Sequence, residues 1–222
     1  MDRQTLAAMI DHTALKPEAR AADIDRLCDE AVEHGFAAVC VNPAWVKRCV
    51  QRLENTSVLV ASVAGFPLGA TTTETKMSEA RRSLEDGAAE VDMVINLGWL
   101  LDGNTSAVTD DIGAVAEEVH SVSGGHLVKV ILETAALNEE QVAAGCRCAV
   151  AAGADFVKTS TGFHPAGGAT VDAVQWLRKY APSLQVKAAG GIRDLAAARS
   201  MIESGAHRIG CSASVKIMQE MK

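Results

Sequence analysis

The chain has 222 residues, of which 48% are hydrophobic and only 4% aromatic, and a formal net charge of -7. That length can bury a sizeable core as one domain spanning residues 1–222, and the acidic balance argues against nucleic acid as a partner, so an anionic ligand has to be met locally. No apolar stretch approaches the length of a membrane span, and the opening MDRQTLAAMI lacks the apolar run of a signal peptide.

Strand-like segments recur with amphipathic helical stretches between them: IDHT (10–13), AAVCV (37–41), SVLVASVA (57–64), EVDMVI (90–95), LVKVILE (127–133), DFVKTS (155–160), QVKAAG (185–190) and HRIGCS (207–212). Strands alternating with helices imply parallel pairing, and eight units of about 25 residues predict an α/β fold, a closed single-domain (β/α)₈ barrel. Helix stops fall where this scheme needs them, at Gly35, Gly87, Gly153 and Gly205, the last three in recurrent joints of the form (Asp/Ala/Ser)-Gly-Ala. The stretch GWLLDGNTS reads as a turn-rich loop. With so few aromatics, Ala, Val, Ile and Leu are expected to fill the barrel interior.

Six cysteines show no CxxC pair, which predicts a reducing cytoplasmic setting. Cys146 and Cys148 lie two apart in a helical pattern and point to different sides, so they do not make a zinc site. The six histidines are scattered, and neither GxGxxG nor a Walker loop follows a strand, so the chemistry is expected to run without metal or cofactor.

Catalytic groups of such barrels sit at the C-terminal ends of strands. Two lysines stand there, Lys158 in GADFVKTSTGF and Lys187 in QVKAAGGIRD. Adjacent strands lie about 4.8 Å apart, so two ammonium groups on one face would repel by about 3 kcal/mol at an effective dielectric near 20, or about two pKa units. An ordinary lysine is neutral in about one copy in 2,500 at pH 7, so such a shift decides whether an attacking amine exists, and its natural partner is a carbonyl. A strand lysine can also snorkel or pair with a carboxylate, but two of them at the glycine-bearing ends of consecutive strands favour a reactive site.

Period-2 alternation puts Lys158 with Phe156 and Ser160, and Asp92 with Val94 and Asn96, and burial of charge is cheapest where the interior opens to ligand, so these faces are expected to point inward. Asp92 reads equally as a structural acid neutralising Lys187 and as a proton carrier acting through water, and the two roles are compatible. Lys129 and Glu133, on one face of one strand, are expected to pair with each other. Cys40, at a strand end, is expected to be inert filler. Gly190-Gly191 after the seventh strand and GCSAS after the eighth, with Ser212 and Ser214 opening a last helix, suit a phosphate, to which Thr161-Gly162 adds a third contributor. Read singly, Gly-Gly is a tight turn and Ser212 a helix cap.

The motifs DHTALKPEA, VNPAW, GFPLGA, EVDMVINLG, FVKTSTGF, VKAAGGIRD and RIGCSAS occur in this order. Through them the chain resembles the deoxyribose-phosphate aldolases over nearly its whole length. The resemblance implies reversible cleavage of 2-deoxy-D-ribose 5-phosphate to acetaldehyde and D-glyceraldehyde 3-phosphate. It implies Lys158 as the Schiff-base lysine, Lys187 as its cationic neighbour, Asp92 as the proton-transfer acid, and Gly190, Gly191, Gly210 and Ser212 as a phosphate cradle. Partners are then a sugar phosphate and aldehydes, with neither nucleic acid nor membrane, and a homo-oligomer is left open. Some family members carry a tail tyrosine that assists protonation. The sole tyrosine here is Tyr180, so water or Asp92 is expected to serve, and His164-Pro165 is expected to alter closure of the loop after Lys158. Two other readings remain: a different Schiff-base sugar-phosphate aldolase or transaldolase, and a barrel that binds sugar phosphate without turnover.

Overall fold

The computed structural model describes residues 1–221. Eight parallel strands close into a barrel in chain order: β1 Ile10–Ala14, β2 Ala38–Val41, β3 Leu59–Ala64, β4 Glu90–Val94, β5 Leu127–Ile131, β6 Phe156–Lys158, β7 Gln185–Ala189 and β8 Arg208–Cys211. The predicted (β/α)₈ barrel is therefore the observed fold. Around the strands run α1 Arg3–Ala7, α2 Ala21–His34, α3 Val46–Arg52, α4 Thr73–Glu85, α5 Leu97–Leu101, α6 Thr105–Ser121, α7 Glu139–Ala151, α8 Val171–Tyr180, α9 Leu195–Glu203 and α10 Ser214–Glu220. No described helix is long and apolar enough to cross a membrane.

Local chemistry accounts for the boundaries. Gly35 caps α2 in the left-handed region that only glycine occupies cheaply, and Gly87, Gly153 and Gly205 take positive φ just beyond α4, α7 and α9, which makes the repeated joints sharp returns into the next strand. The stretch read as a loop, GWLLDGNTS, is mostly helical. Asn96 caps α5 by accepting from the Trp99 amide, and Asn104 caps α6 by accepting from Ala107, so the turn chemistry between them is confined to Asp102-Gly103.

Alternate strand residues face the helices and form one continuous apolar layer, including Val39, Val91, Met93, Val128, Val130, Val157, Val186 and Ile209 against Ile24, Ile112, Val142 and Leu177. Apolar side chains fill only part of the lumen: Leu15, Cys40, Ala61 and Val63 cluster on one side, and Val94, Ile131 and Phe156 share the inward faces of β4, β5 and β6. Charged groups share the same space. Asp11, Glu90, Asp92, Lys129, Lys158 and Lys187 are all buried there, because their strands alternate apolar-out and charged-in rather than apolar throughout.

A second buried ion pair supports the rim above β3. Lys76 of α4 meets Asp111 of α6 at 2.6 Å with neither side chain exposed, and the Thr73 hydroxyl donates to the other Asp111 oxygen at 2.9 Å. A Cβ at Gly65, just past β3, would sit 2.9 Å from Lys76 Cε, so lysine and loop are packed as one unit. Lys76→Met should lower stability by about 3–5 kcal/mol by stranding Asp111, whereas Lys76→Met/Asp111→Leu should recover most of that loss. Urea unfolding of the three proteins checks both.

Candidate active site

Strand register brings the predicted side chains together. Lys158 lies beside Lys187, and Asp92 beside Lys129. All point into the lumen, and Asp92 is the meeting point: its Oδ2 accepts from Lys158 at 2.7 Å and from Lys187 at 2.7 Å, while Oδ1 accepts from Lys129 at 2.8 Å. Beyond it the contacts form a closed circuit of alternating charge. Lys187 pairs with Asp11 at 2.5 Å, Asp11 with Arg208 at 2.6 Å, Arg208 with Glu90 at 3.2 Å, and Glu90 with Lys129 at 2.6 Å, which returns to Asp92. The anticipated Lys129–Glu133 pair does not form. Strand β5 ends at Ile131 and Glu133 turns left-handed at φ 58°, so the alternation that placed both residues on one face stops between them. Glu133 instead accepts from the Thr161 amide and hydroxyl, holding the segment after Lys158.

The electrostatic directions separate the two lysines. Burial pushes the Lys158 amine below the ordinary lysine range; Asp92 opposes this, and Lys187 adds to the depression. Repulsion by Lys187 is therefore a contributor behind burial, whereas the sequence argument made it the main cause. For Lys187, burial also disfavours the charge, but Asp11 and Asp92 outweigh it and hold the group well above the usual range. Asp92 is buried, which would raise it, yet Lys129, Lys158 and Lys187 keep its carboxyl well below the usual range. Burial pushes the Cys40 thiol up to about 11, in keeping with inert filler.

A cleft of about 610 Å³ opens over this cluster, and Lys158, Gly162, Gly190, Gly191, Gly210 and Ser212 all line it. Lys187 and Asp92 lie beneath, fully buried. The cap of α10 is Ala213, so Ser212 is not the helix cap and its side chain is exposed at the cleft. Gly190 does more than turn the chain: a Cβ there would come within 3.0 Å of Gly168 Cα and 3.3 Å of Gly162 Cα, so the loops after β6 and β7 touch backbone to backbone. Gly191, by contrast, faces open space at φ 80°. A Cβ at Gly210 would press on Lys187 Cε at 3.0 Å, so this glycine also makes room for the buried lysine.

Sequence reasoning missed several participants. Lys16 and Arg193 bring positive charge to the cleft, and the cation two positions beyond Gly190-Gly191 was a usable signal for the latter. Arg208 and Glu90 begin their strands, away from the C-terminal ends that were searched. Thr159 Oγ donates to the Ala189 carbonyl and accepts from the Ala189 amide, both at 3.0 Å, fastening β6 to β7. Tyr180 lies on α8 and donates to Glu139 at 2.7 Å, an outer-helix contact. His164 accepts from the Ala166 amide within its loop.

The profile described as DeoC/LacD family aldolase matches residues 5–220. A protein of Bacillus licheniformis named deoxyribose-phosphate aldolase 1 is 53% identical over 215 residues, covering 96% of this chain and 95% of that protein. A deoxyribose-phosphate aldolase of Thermococcus kodakarensis is 54% identical over 222 residues, covering 99% and 98% of the two chains. The solved structure of an Aeropyrum pernix deoxyribose phosphate aldolase, described as a unique tetramer, superposes with a TM-score of 0.92 at 34% identity, covering 99% of this chain and 92% of that one. With the lysine pair, the buried carboxylate and the cleft already in place, this chain belongs to the DeoC/LacD family of aldolases, carbon–carbon lyases.

Proposed function

We propose that the enzyme reversibly cleaves 2-deoxy-D-ribose 5-phosphate to acetaldehyde and D-glyceraldehyde 3-phosphate through an imine on Lys158. One observation carries this reading: Lys158 reaches the cleft while the depressed basicity of its amine favours the neutral, attacking form. The names of the close relatives supply the substrate.

Lys158 adds to C1 of the open-chain sugar and loses water, leaving a cationic iminium. Removal of the C3 hydroxyl proton then breaks a carbon–carbon bond. Carbon balance places it between C2 and C3, because the released aldehyde retains two carbons. The bonding pair moves to C2 and the iminium nitrogen becomes a neutral enamine as D-glyceraldehyde 3-phosphate departs. Protonation at C2 and hydrolysis release acetaldehyde and restore the amine. Asp92, held ionised, can accept protons through water, and Lys187, held protonated, can return them. The structural and proton-carrying readings of Asp92 thus coexist in one group.

At the far end of the cleft, the backbone around Gly162, Gly190, Gly191 and Gly210, with Ser212, Arg193 and Lys16, would hold the phosphate. Binding there orients the sugar without touching the reacting bond.

Acetaldehyde with borohydride should leave one ethyl group on Lys158, read by peptide mass spectrometry, and deoxyribose 5-phosphate should yield both products in a coupled assay. An adduct elsewhere, or no acetaldehyde released from deoxyribose 5-phosphate, sinks the proposal. Lys187→Leu should cut turnover at neutral pH by about 100-fold or more, because Lys158 then becomes the counter-ion of Asp92 and stays protonated; partial recovery at alkaline pH in a pH–rate profile checks the cause. Ser212→Ala should raise KM about tenfold with little change in kcat, the loss expected for one hydrogen bond to a charged group.

A further inference from the structure

The lumen holds four cations and three carboxylates among the described residues. Asp11 comes from β1, Glu90 and Asp92 from β4, Lys129 from β5, Lys158 from β6, Lys187 from β7 and Arg208 from β8; β2 contributes only the Cys40 thiol, and β3 contributes Ala61 and Val63. Glu133, past the end of β5, is engaged with Thr161 and forms no ion pair among the described residues. Three of the cations, Lys129, Lys187 and Arg208, each bridge two carboxylates of the circuit. Lys158 hangs from Asp92 alone, at 2.7 Å, on an oxygen that Lys187 already occupies at the same distance. The circuit is neutral without it.

Arg208 and Glu90 close this circuit at the end of the barrel away from the cleft. Their side chains are 14% and 1% exposed, and neither residue lines the cleft. The Arg208 guanidinium lies 5.9 Å from the Phe156 ring centre and Lys129 Nζ lies 5.8 Å from it, so the residue two before Lys158 packs against both cations that flank Glu90. We propose that Arg208 and Glu90 are positioning residues that act on Lys158 without contacting substrate: each supplies one charge to a self-neutralising circuit, leaving Lys158 as the surplus cation of the lumen. This rests on Lys158 being the imine-forming amine. Removing either charge changes what the circuit asks of that amine. Without Arg208, three carboxylates face two bridging cations, and a protonated Lys158 restores balance. Without the Glu90 charge, three cations face two carboxylates, and a protonated Lys158 becomes less favourable still.

The test is a titration of Lys158 by NMR in protein labelled at the lysine ε-carbon, its resonance identified by comparison with Lys158→Met. Arg208→Met should move the midpoint about one pH unit upward and Glu90→Gln about one unit downward. Arg208→Lys and the doubly substituted Glu90→Gln/Arg208→Met, which keep the charges in balance, should both stay close to the parent. Mere loss of packing would not move the two single variants in opposite directions. Unchanged midpoints, or shifts of the same sign, overturn the proposal; if Arg208→Met does not fold, the downward shift in Glu90→Gln and its reversal in the double variant decide. Acetaldehyde–borohydride labelling of the parent protein runs alongside. Label absent from Lys158 overturns the imine reading, whereas label at Lys158 with immobile midpoints overturns only the circuit.

Discussion

Three ammonium groups converge on one carboxylate, Asp92, and the site is built outward from that contact. A carboxylate with no exposed surface cannot stand alone in a medium of low dielectric, because its desolvation costs several kcal/mol unless paired. Its partners are buried too, and each needs a further counter-charge. The requirement passes from Lys187 to Asp11, to Arg208, to Glu90 and to Lys129, and ends only when the circuit returns to Asp92. The Asp11–Arg208 contact also crosses the β1–β8 seam where the barrel closes. The fold and the electrostatics therefore need each other: an open sheet would leave the chain of ion pairs with charged ends.

On the proposed imine chemistry, charge balance also favours cleavage. The lumen is neutral when the Lys158 amine is neutral, so a cationic iminium at that nitrogen is an excess charge in a buried, already balanced setting. Carbon–carbon cleavage would remove the excess by converting iminium to enamine. Asp92 keeps the cationic state accessible through its 2.7 Å contact with Nζ, while burial keeps it from being too stable. Lys187 shares that oxygen but does not share the behaviour, because Asp11 is its second partner.

Much of this was legible in the chain itself, for identifiable reasons. The strands were readable because short β-branched runs end in glycine joints, and the lysines because a charge inside such a run has few explanations. Alternation grouped Lys158 and Asp92 with their face neighbours, and the cost of burying charge away from a ligand opening set those faces inward. What escaped was whatever depends on which strand lies next to which, and at what height. Arg208 and Glu90 are 118 positions apart in sequence, and only barrel closure makes them neighbours. The Lys129–Glu133 pairing failed for a local reason, a single left-handed residue that no run of side chains announces. The short helix α5 hid within glycine- and asparagine-rich text because its cap Asn96 and the cap of the next helix, Asn104, are also good turn formers.

Why Lys158 stands on the shortest strand follows from the same geometry. Strand β6 ends at Lys158, and Thr159 then takes over the edge: its amide donates to the Lys187 carbonyl, its carbonyl accepts from Thr134, and its hydroxyl spans both backbone groups of Ala189. The backbone thus stays anchored to β5 and β7 for one residue beyond the regular ladder. Past that anchor, Glu133 holds Thr161, and Gly162 turns to meet Gly190. Lys158 and Gly162 line one cleft with the anchored segment between them. On the proposed reading, the reacting end and the phosphate end of one substrate are tied to a single stretch of chain held by backbone hydrogen bonds and a glycine contact.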